Sequence, residues 1–242
     1  KNLNLTIVSP SSWLAKCASS SSLFQNLRTE VIPNGLNTQI YRPINQYNAR
    51  ELLNLPQDKQ LILFGAIQAT SDKRKGFYLL EAALRELSKA GWKDKLELVI
   101  FGASQPENPP DLAFKIHYLG HLYDDLTLAT VYSAGDVMVV PSVQEAFGQT
   151  ASESLACGTP VVAFNATGLK DIVDHQENGY LAKPFEADDL AKGIAWVLEN
   201  HQRHQKLSDY AREQAKQKFS IETITRRYFS LYKDIHEQQV AQ

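Results

Sequence analysis

The sequence is short of most features that would mark an unusual class of protein. Its 242 residues include two cysteines, Cys17 and Cys157, 140 positions apart with no Cys-x-x-Cys pair. Neither a disulfide framework nor a thiolate zinc site is indicated. It has no excess of one charge: 25 Lys+Arg stand against 27 Asp+Glu, a net −2, with a pI near 6.3. A chain so balanced has no general attraction to nucleic acid. Its longest apolar runs, such as Val137–Val140 and Pro160–Phe164, fall far short of the roughly 20 residues a membrane helix needs. No Gly-x-Gly-x-x-Gly follows a strand and no Gly-x-x-x-x-Gly-Lys-Ser/Thr occurs, so neither a nicotinamide cofactor nor a P-loop ATPase is expected. The chain begins with Lys1, its single methionine is Met138, and no signal-peptide pattern accounts for the start. The expectation is a piece of a longer protein. What is present, 43% hydrophobic and 21% charged residues, is too apolar for disorder and long enough to bury a large core without staples.

Short β-branched runs alternate with helical stretches. Strands are predicted at Leu5–Val8, Leu61–Ile67, Leu96–Phe101, Ile116–Leu119, Val137–Pro141 and Val161–Phe164. Consecutive apolar positions are the pattern of strands covered on both faces of a parallel sheet. Helices are predicted at Phe77–Ala90, with Phe77, Leu80, Leu84 and Leu87 on one stripe, at Asp124–Ala134, and at Ala151–Cys157, stopped by Gly158 and Pro160. Asp188–Asn200, His201–Phe219 and Ile221–Gln239 read as three further helices, Ser220 capping the last. Val31-Ile-Pro-Asn-Gly35 reads as a strand and a turn that set residues 1–30 apart as one strand–helix unit. The fold class is α/β, a doubly wound Rossmann-like parallel sheet with C-terminal helices and ligand at the carboxyl ends of the strands.

The chemistry concentrates between Val139 and Val162. A strand ends at Pro141, a loop carries Glu145, and a helix begins near Gly148 with Glu153 inside it. The amides of Phe147, Gly148, Gln149 and Thr150 lie between the two carboxylates, and a helix start with glycine at its mouth favours an anion. Carboxylate, phosphate cradle, carboxylate matches the order of sugar hydroxyls, diphosphate and ribose hydroxyls in a sugar nucleotide. Two other readings stand beside it. Glu145 can serve the helix dipole while Glu153 is a solvated helix position, or the pair can be glycosidase acids, although no eight-fold barrel is present to hold them.

Glu145-x7-Glu153, with Phe147-Gly148 inside it and Ala156-Cys-Gly-Thr-Pro-Val-Val162 after it, resembles the signature of retaining glycosyltransferase family 4, the group 1 glycosyltransferases of GT-B fold. Ile32-Pro-Asn-Gly-Leu-Asn37 resembles that family's domain-joining turn, Gly65 with Lys75-Gly76 its first donor loop, Tyr118-Leu-Gly-His121 its nucleotide-base loop, and Gly179-Tyr-Leu a late strand. The resemblance implies a remnant of the acceptor domain and linker in 1–34, a sugar-nucleotide donor-binding domain in 35–220, and in 221–242 a helix returning toward the N-terminal domain. It implies transfer of a sugar from a UDP- or GDP-sugar to a glycan or lipid-linked acceptor with retention, with no metal and no other cofactor. Lys75 and Glu145 would be catalytic. Gly65, Arg74, Lys75, His121, Leu122, Glu145, Ala146, Phe147, Gly148, Gln149, Thr150 and Glu153 would bind the donor. The family places an arginine after the loop glycine. Ala66 stands there, so that contact is absent or comes from Arg74 or Lys73. Gly168-Leu-Lys-Asp171 resembles an acidic motif lining the sugar pocket. His201 and His204 have helical spacing but no third ligand. The implied setting is the cytoplasm, with peripheral contact at the inner membrane face. The missing N-terminal domain of the same protein would be a partner, and residues 1–242 alone would bind nucleotide weakly and transfer nothing. A sugar-nucleotide epimerase of the same fold and a non-catalytic sugar-nucleotide-binding protein remain alternatives.

Overall fold

The computed structural model describes residues 5–67, 71–107 and 109–240, with side chains described up to residue 238. Gln68, Ala69 and Thr70 of the basic loop read from the sequence, and the outermost residues of the two terminal segments, lie outside them.

Six parallel strands form the body: β3 (Gln60–Gly65), β4 (Leu96–Phe101), β5 (Ile116–Tyr118), β6 (Val137–Val140), β7 (Val161–Phe164) and β8 (Gly179–Ala182). Their order across the sheet is β5-β4-β3-β6-β7-β8. The chain winds outward from β3 in one direction and from β6 in the other, so the topological switch lies between them. Every residue of β4, β6 and β7 is buried, because helices cover both faces. On one face lie α3 (Phe77–Lys89) and α6 (Ala187–Leu198), which insert Leu80, Leu84, Leu190 and Ile194 into one core. On the other lie α2 (Gln46–Leu52), α4 (Asp125–Ala134), α5 (Gln149–Ala156) and α7 (His201–Phe219) around a second core.

The pairing at the switch is short. β3 and β4 pair along six residues, whereas β3 meets β6 only at Ile62–Val137 and Leu63–Met138. Beyond Leu63 the carboxyl ends of β3 and β6 diverge. A buried ion pair holds the opposite ends together: Arg50 Nη2 lies 2.7 Å from Asp136 Oδ2, and the same oxygen accepts the Leu61 N–H at 2.6 Å.

A separate two-stranded parallel sheet, β1 (Thr6–Ser9) and β2 (Arg28–Val31), carries α1 (Ser12–Ser19). Residues 32–36 lead from it into the body, where Leu36 donates to Phe219 O at 2.7 Å and accepts from the Ile221 N–H at 3.1 Å. The last helix, α8 (Ile221–Val240), packs Ile224 and Leu231 on Ile32 and Val8. Ser220 caps it by accepting from the Thr223 N–H at 3.3 Å.

The sequence reading is corrected at several ends. β3 stops at Gly65 rather than Ile67, and Ile67 is 81% exposed. β6 stops at Val140 because Pro141 has no N–H to give a ladder. α5 begins at Gln149, two residues before Ala151. The strand assigned to Val31 onward ends there instead, at β2. Helix α2 went unread.

Candidate active site

Two loops meet at the diverging ends of β3 and β6. After β3 the chain forms a 3-10 turn, Lys73–Lys75, capped by Asp72, whose carboxylate accepts the Arg74 N–H at 2.9 Å. Gly76 then takes φ +71°, and a methyl there would lie 1.9 Å from the Pro141 carbonyl oxygen. Only a residue without Cβ permits that approach. The Val143 N–H donates to Arg74 O at 2.9 Å across the same junction. The consequence is a side-chain meeting the sequence did not announce: Lys75 Nζ lies 2.9 Å from Glu145 Oε2, with the two side chains 26% and 19% exposed.

On the far side of Glu145 the chain turns into α5. Gly148 has φ +112°, a left-handed entry that closes the loop onto Leu169 and Ile172. Among the described residues, the N–H groups of Phe147, Gly148, Gln149 and Thr150 donate to no protein acceptor, as expected of a helix start. The Phe147 ring is buried edge-on against Phe219 at 5.7 Å, so its amide alone is offered. Glu153 stands one turn into α5 and is nearly buried. Tyr132, fully buried on α4, donates its hydroxyl to Glu153 Oε2 at 2.7 Å. Burial raises the Glu153 carboxyl above its ordinary value, and the Tyr132 hydrogen bond works in the opposite direction. Glu153 is therefore a carboxylate kept out of water at a cost to the fold.

Most of these groups line one cleft of about 380 Å³, within the roughly 300–1,000 Å³ usual for small-ligand sites. Lys75, Glu145, Gln149, Thr150, Glu153 and Tyr132 line it together with the apolar Phe101, Leu122 and Leu128, whereas Phe147 and Gly148 do not. Gly65 lies at the floor beside this cleft, in the fork between β3 and β6.

Other predicted site residues are placed elsewhere. Arg74 turns outward to Asp72, Nη2 to Oδ2 2.8 Å, with its side chain 69% exposed, so it does not replace the arginine missing at Ala66. Lys75 is, among the described residues, the cation lining the cleft. His121 is exposed beside Tyr123 and Leu122 takes the place at the wall. Ala146 faces out of the cleft, its carbonyl accepting from Ser11 Oγ at 2.6 Å. Asp171 does not line the cleft but binds Ser12. Sequence reasoning missed Tyr132, Phe101 and Leu128. A tyrosine beside Val131 and between Ala129 and Ala134 in the predicted helix was the available signal, because a buried phenol needs a partner. Cys157 lies just behind Glu153, and burial pushes its thiol up, away from the reactive thiolate.

Thr167, in the 3-10 turn Thr167–Asp171 behind the Glu145 loop, has φ +52°, and its buried Oγ1 has no partner among the described residues. A β-branched residue there stores about 1–3 kcal/mol of strain, whereas glycine costs about 0.5–1 kcal/mol in chain entropy. Thr167→Gly is expected to raise stability by about 1 kcal/mol, read as a higher urea midpoint. A lower midpoint would show that the threonine side chain is held by contacts that outweigh the strain.

The family model for glycosyl transferases group 1 matches residues 48–214. A D-inositol 3-phosphate glycosyltransferase of Saccharomonospora viridis is 32% identical over 217 residues, covering 83% of this chain and 48% of that protein. Sucrose-phosphate synthase of Thermosynechococcus elongatus superposes with a TM-score of 0.81 at 29% identity, over 96% of this chain and 59% of that one. The C-terminal domain of a group 1 glycosyl transferase, LpcC of Francisella tularensis, gives 0.63 at 25% identity, over 77% of this chain and all of that domain. The chain spans about half the length of the curated relatives it matches.

Proposed function

The chain belongs to the group 1 glycosyl transferases, and we propose that it is the donor half of a retaining enzyme that moves a sugar from a nucleoside diphosphate sugar to a glycan or lipid-linked acceptor. One observation supports the reading most: Glu145, Gln149, Thr150 and Glu153 line the same cleft, and the N–H groups of Phe147–Thr150, which lie between the two carboxylates along the chain, have no protein acceptor among the described residues. The ligand that suits this row has hydroxyls at both ends and negative charge in the middle. Glu145 accepts from hydroxyls of the transferred sugar, the amides and Lys75 receive the diphosphate, Glu153 accepts from the ribose, and Leu122, Leu128 and Phe101 flank the base. Residues 1–34 are then a remnant of the acceptor domain and linker, residues 35–220 the donor domain, and 221–242 a helix that returns to the acceptor side.

The chemistry follows from where charge grows. As the glycosidic bond breaks, negative charge accumulates on the leaving phosphate, and a fixed cation and helix-start amides favour that state over the ground state. The departing phosphate takes the acceptor hydroxyl's proton on the same face of the sugar, which retains configuration. Positive charge comes from Lys75 and the amides, so the reading calls on no metal. Ala66 is the observation favouring a second reading, a sugar-nucleotide-binding protein without transfer, because it removes one cation from the leaving group.

Calorimetric titration with UDP and GDP tests the site. One of them is expected to bind residues 1–242, and Glu153→Ala to abolish that binding. Absence of binding by both nucleotides, or equal binding by the variant, would end the donor-site reading. Assay of the enzyme with its acceptor domain then separates a new glycoside (transfer) from an isomerised sugar nucleotide (epimerisation) and from no product (binding alone).

A further inference from the structure

The corner between β1 and α1 grips both loops behind the cleft wall. Ser11 is fully buried. It caps α1 by accepting the Leu14 N–H at 3.2 Å and donates its own hydroxyl to Ala146 O at 2.6 Å. Capping needs only the first of these bonds; the second reaches across 135 positions to the loop that carries Glu145. Ser12 donates its N–H and hydroxyl to the two oxygens of Asp171 at 2.5 and 2.7 Å. Asp171 thereby sits at the start of α1, where unpaired amides favour a carboxylate.

The same 3-10 turn connects onward. The Gly168 N–H donates to Glu145 O at 2.9 Å, and a methyl on Gly168 would lie 2.6 Å from Ala146 O. The carbonyls of Glu145 and Ala146 are thus both fixed from outside the main sheet, one through Asp171 and Gly168, the other through Ser11. These two peptide groups directly follow Glu145, and the second of them carries the Phe147 N–H. None of Ser11, Ser12 and Asp171 lines the cleft.

We infer that Ser11 and Asp171 are positioning residues for the Glu145–Gly148 loop, so that the cleft's hold on a sugar nucleotide depends on the β1–α1 unit. The inference rests on the cleft being the sugar-nucleotide site. Amides aimed in advance at a diphosphate bind it without reorganising; a loop released from Ser11 and Asp171 must order itself on each encounter. Movement of the β1–α1 unit relative to the main sheet would then tighten or relax the same loop.

The test uses Ser11→Ala, Asp171→Ala and the conservative Asp171→Asn, which keeps an acceptor for the Ser12 N–H. Without ligand, amide exchange followed by NMR reads Gly168, Ala151 and Ser152, whose N–H groups bond to carbonyls of this loop. Both alanine variants are expected to exchange at least about tenfold faster at these three amides, with Val139 and Val162 of the sheet unchanged. Asp171→Asn should recover most of the protection. With UDP and GDP, the nucleotide that binds wild type should bind both alanine variants about five- to tenfold more weakly, a loss expected of one or two hydrogen bonds. Unchanged exchange at the three amides, or faster exchange confined to α1, overturns the positioning role. If Glu153→Ala abolishes binding while both alanine variants bind as wild type, the positioning role falls and the site stands; if Glu153→Ala binds as wild type, the site itself falls.

Discussion

Replacing Lys75 with methionine is expected to lower the rate of sugar transfer by about 10²–10³-fold at saturating donor, the cost of removing one preorganised charge from a transition state. The fold should be nearly untouched. The Lys75–Glu145 pair is partly exposed, and pairs of that kind contribute about 0–1 kcal/mol. The ammonium is held by Glu145; on the proposed reading a diphosphate would draw Lys75 away and free that carboxylate to accept from the sugar. Methionine keeps the bulk of the stem and removes the charge, so the effect belongs in kcat more than in KM. Initial rates with the acceptor domain in place decide the matter; an unchanged kcat would take Lys75 out of the chemistry.

Glu153→Gln is expected to weaken nucleotide binding by about 10- to 100-fold and at the same time to stabilise the protein at neutral pH. The two effects share one cause. Burial raises the carboxyl's pKa in the folded state, so the ionised form is tolerated less well there than in the unfolded chain. For an acid shifted upward, this penalty is absent below the ordinary value of 4.5, appears as pH rises above it, and levels off beyond the raised value. Glutamine keeps an oxygen for the Tyr132 hydroxyl and carries no charge. The variant should therefore melt higher than wild type at pH 8 and converge on it at pH 4. Parallel melting curves at the two pH values, with nucleotide titrations beside them, give the answer. A variant that melts lower at pH 8 would show that the charge is stabilised in place, with Glu153 serving the fold rather than a ligand.

The parts of this architecture that were readable were those whose cause is local. Leu61–Phe64, Leu96–Phe101, Val137–Val140 and Val161–Phe164 are apolar without alternation because both faces are covered, and the runs themselves say so. Helix α2 gave no such sign: its buried residues are Ala49 and Arg50, and the arginine is buried because Asp136 and the carbonyls of Lys59 and Ala134 receive its guanidinium, two of these partners more than 80 positions later. The spacing of Glu145 and Glu153 anticipated that both line one cleft, since a short loop and the first turn and a half of one helix separate them. A phenol on α4 was visible in the sequence, but its partner was not, because how α4 lies beside α5 sets the Tyr132–Glu153 bond. Arg74 and His121 misled for the converse reason: nearness in sequence to a functional loop says nothing about side-chain direction, and Asp72, two residues earlier, claims Arg74 first.

The two-residue seam between β3 and β6 carries its own implication. Past Leu63 and Met138 the halves of the sheet behave like the tines of a fork, with no rung of the ladder joining them. Changes in the Lys73–Gly76 and Pro141–Gly148 segments, which lie beyond the last rung, leave the strand register intact. A scaffold with that property can be fitted to differently sized cargo by editing the rim alone.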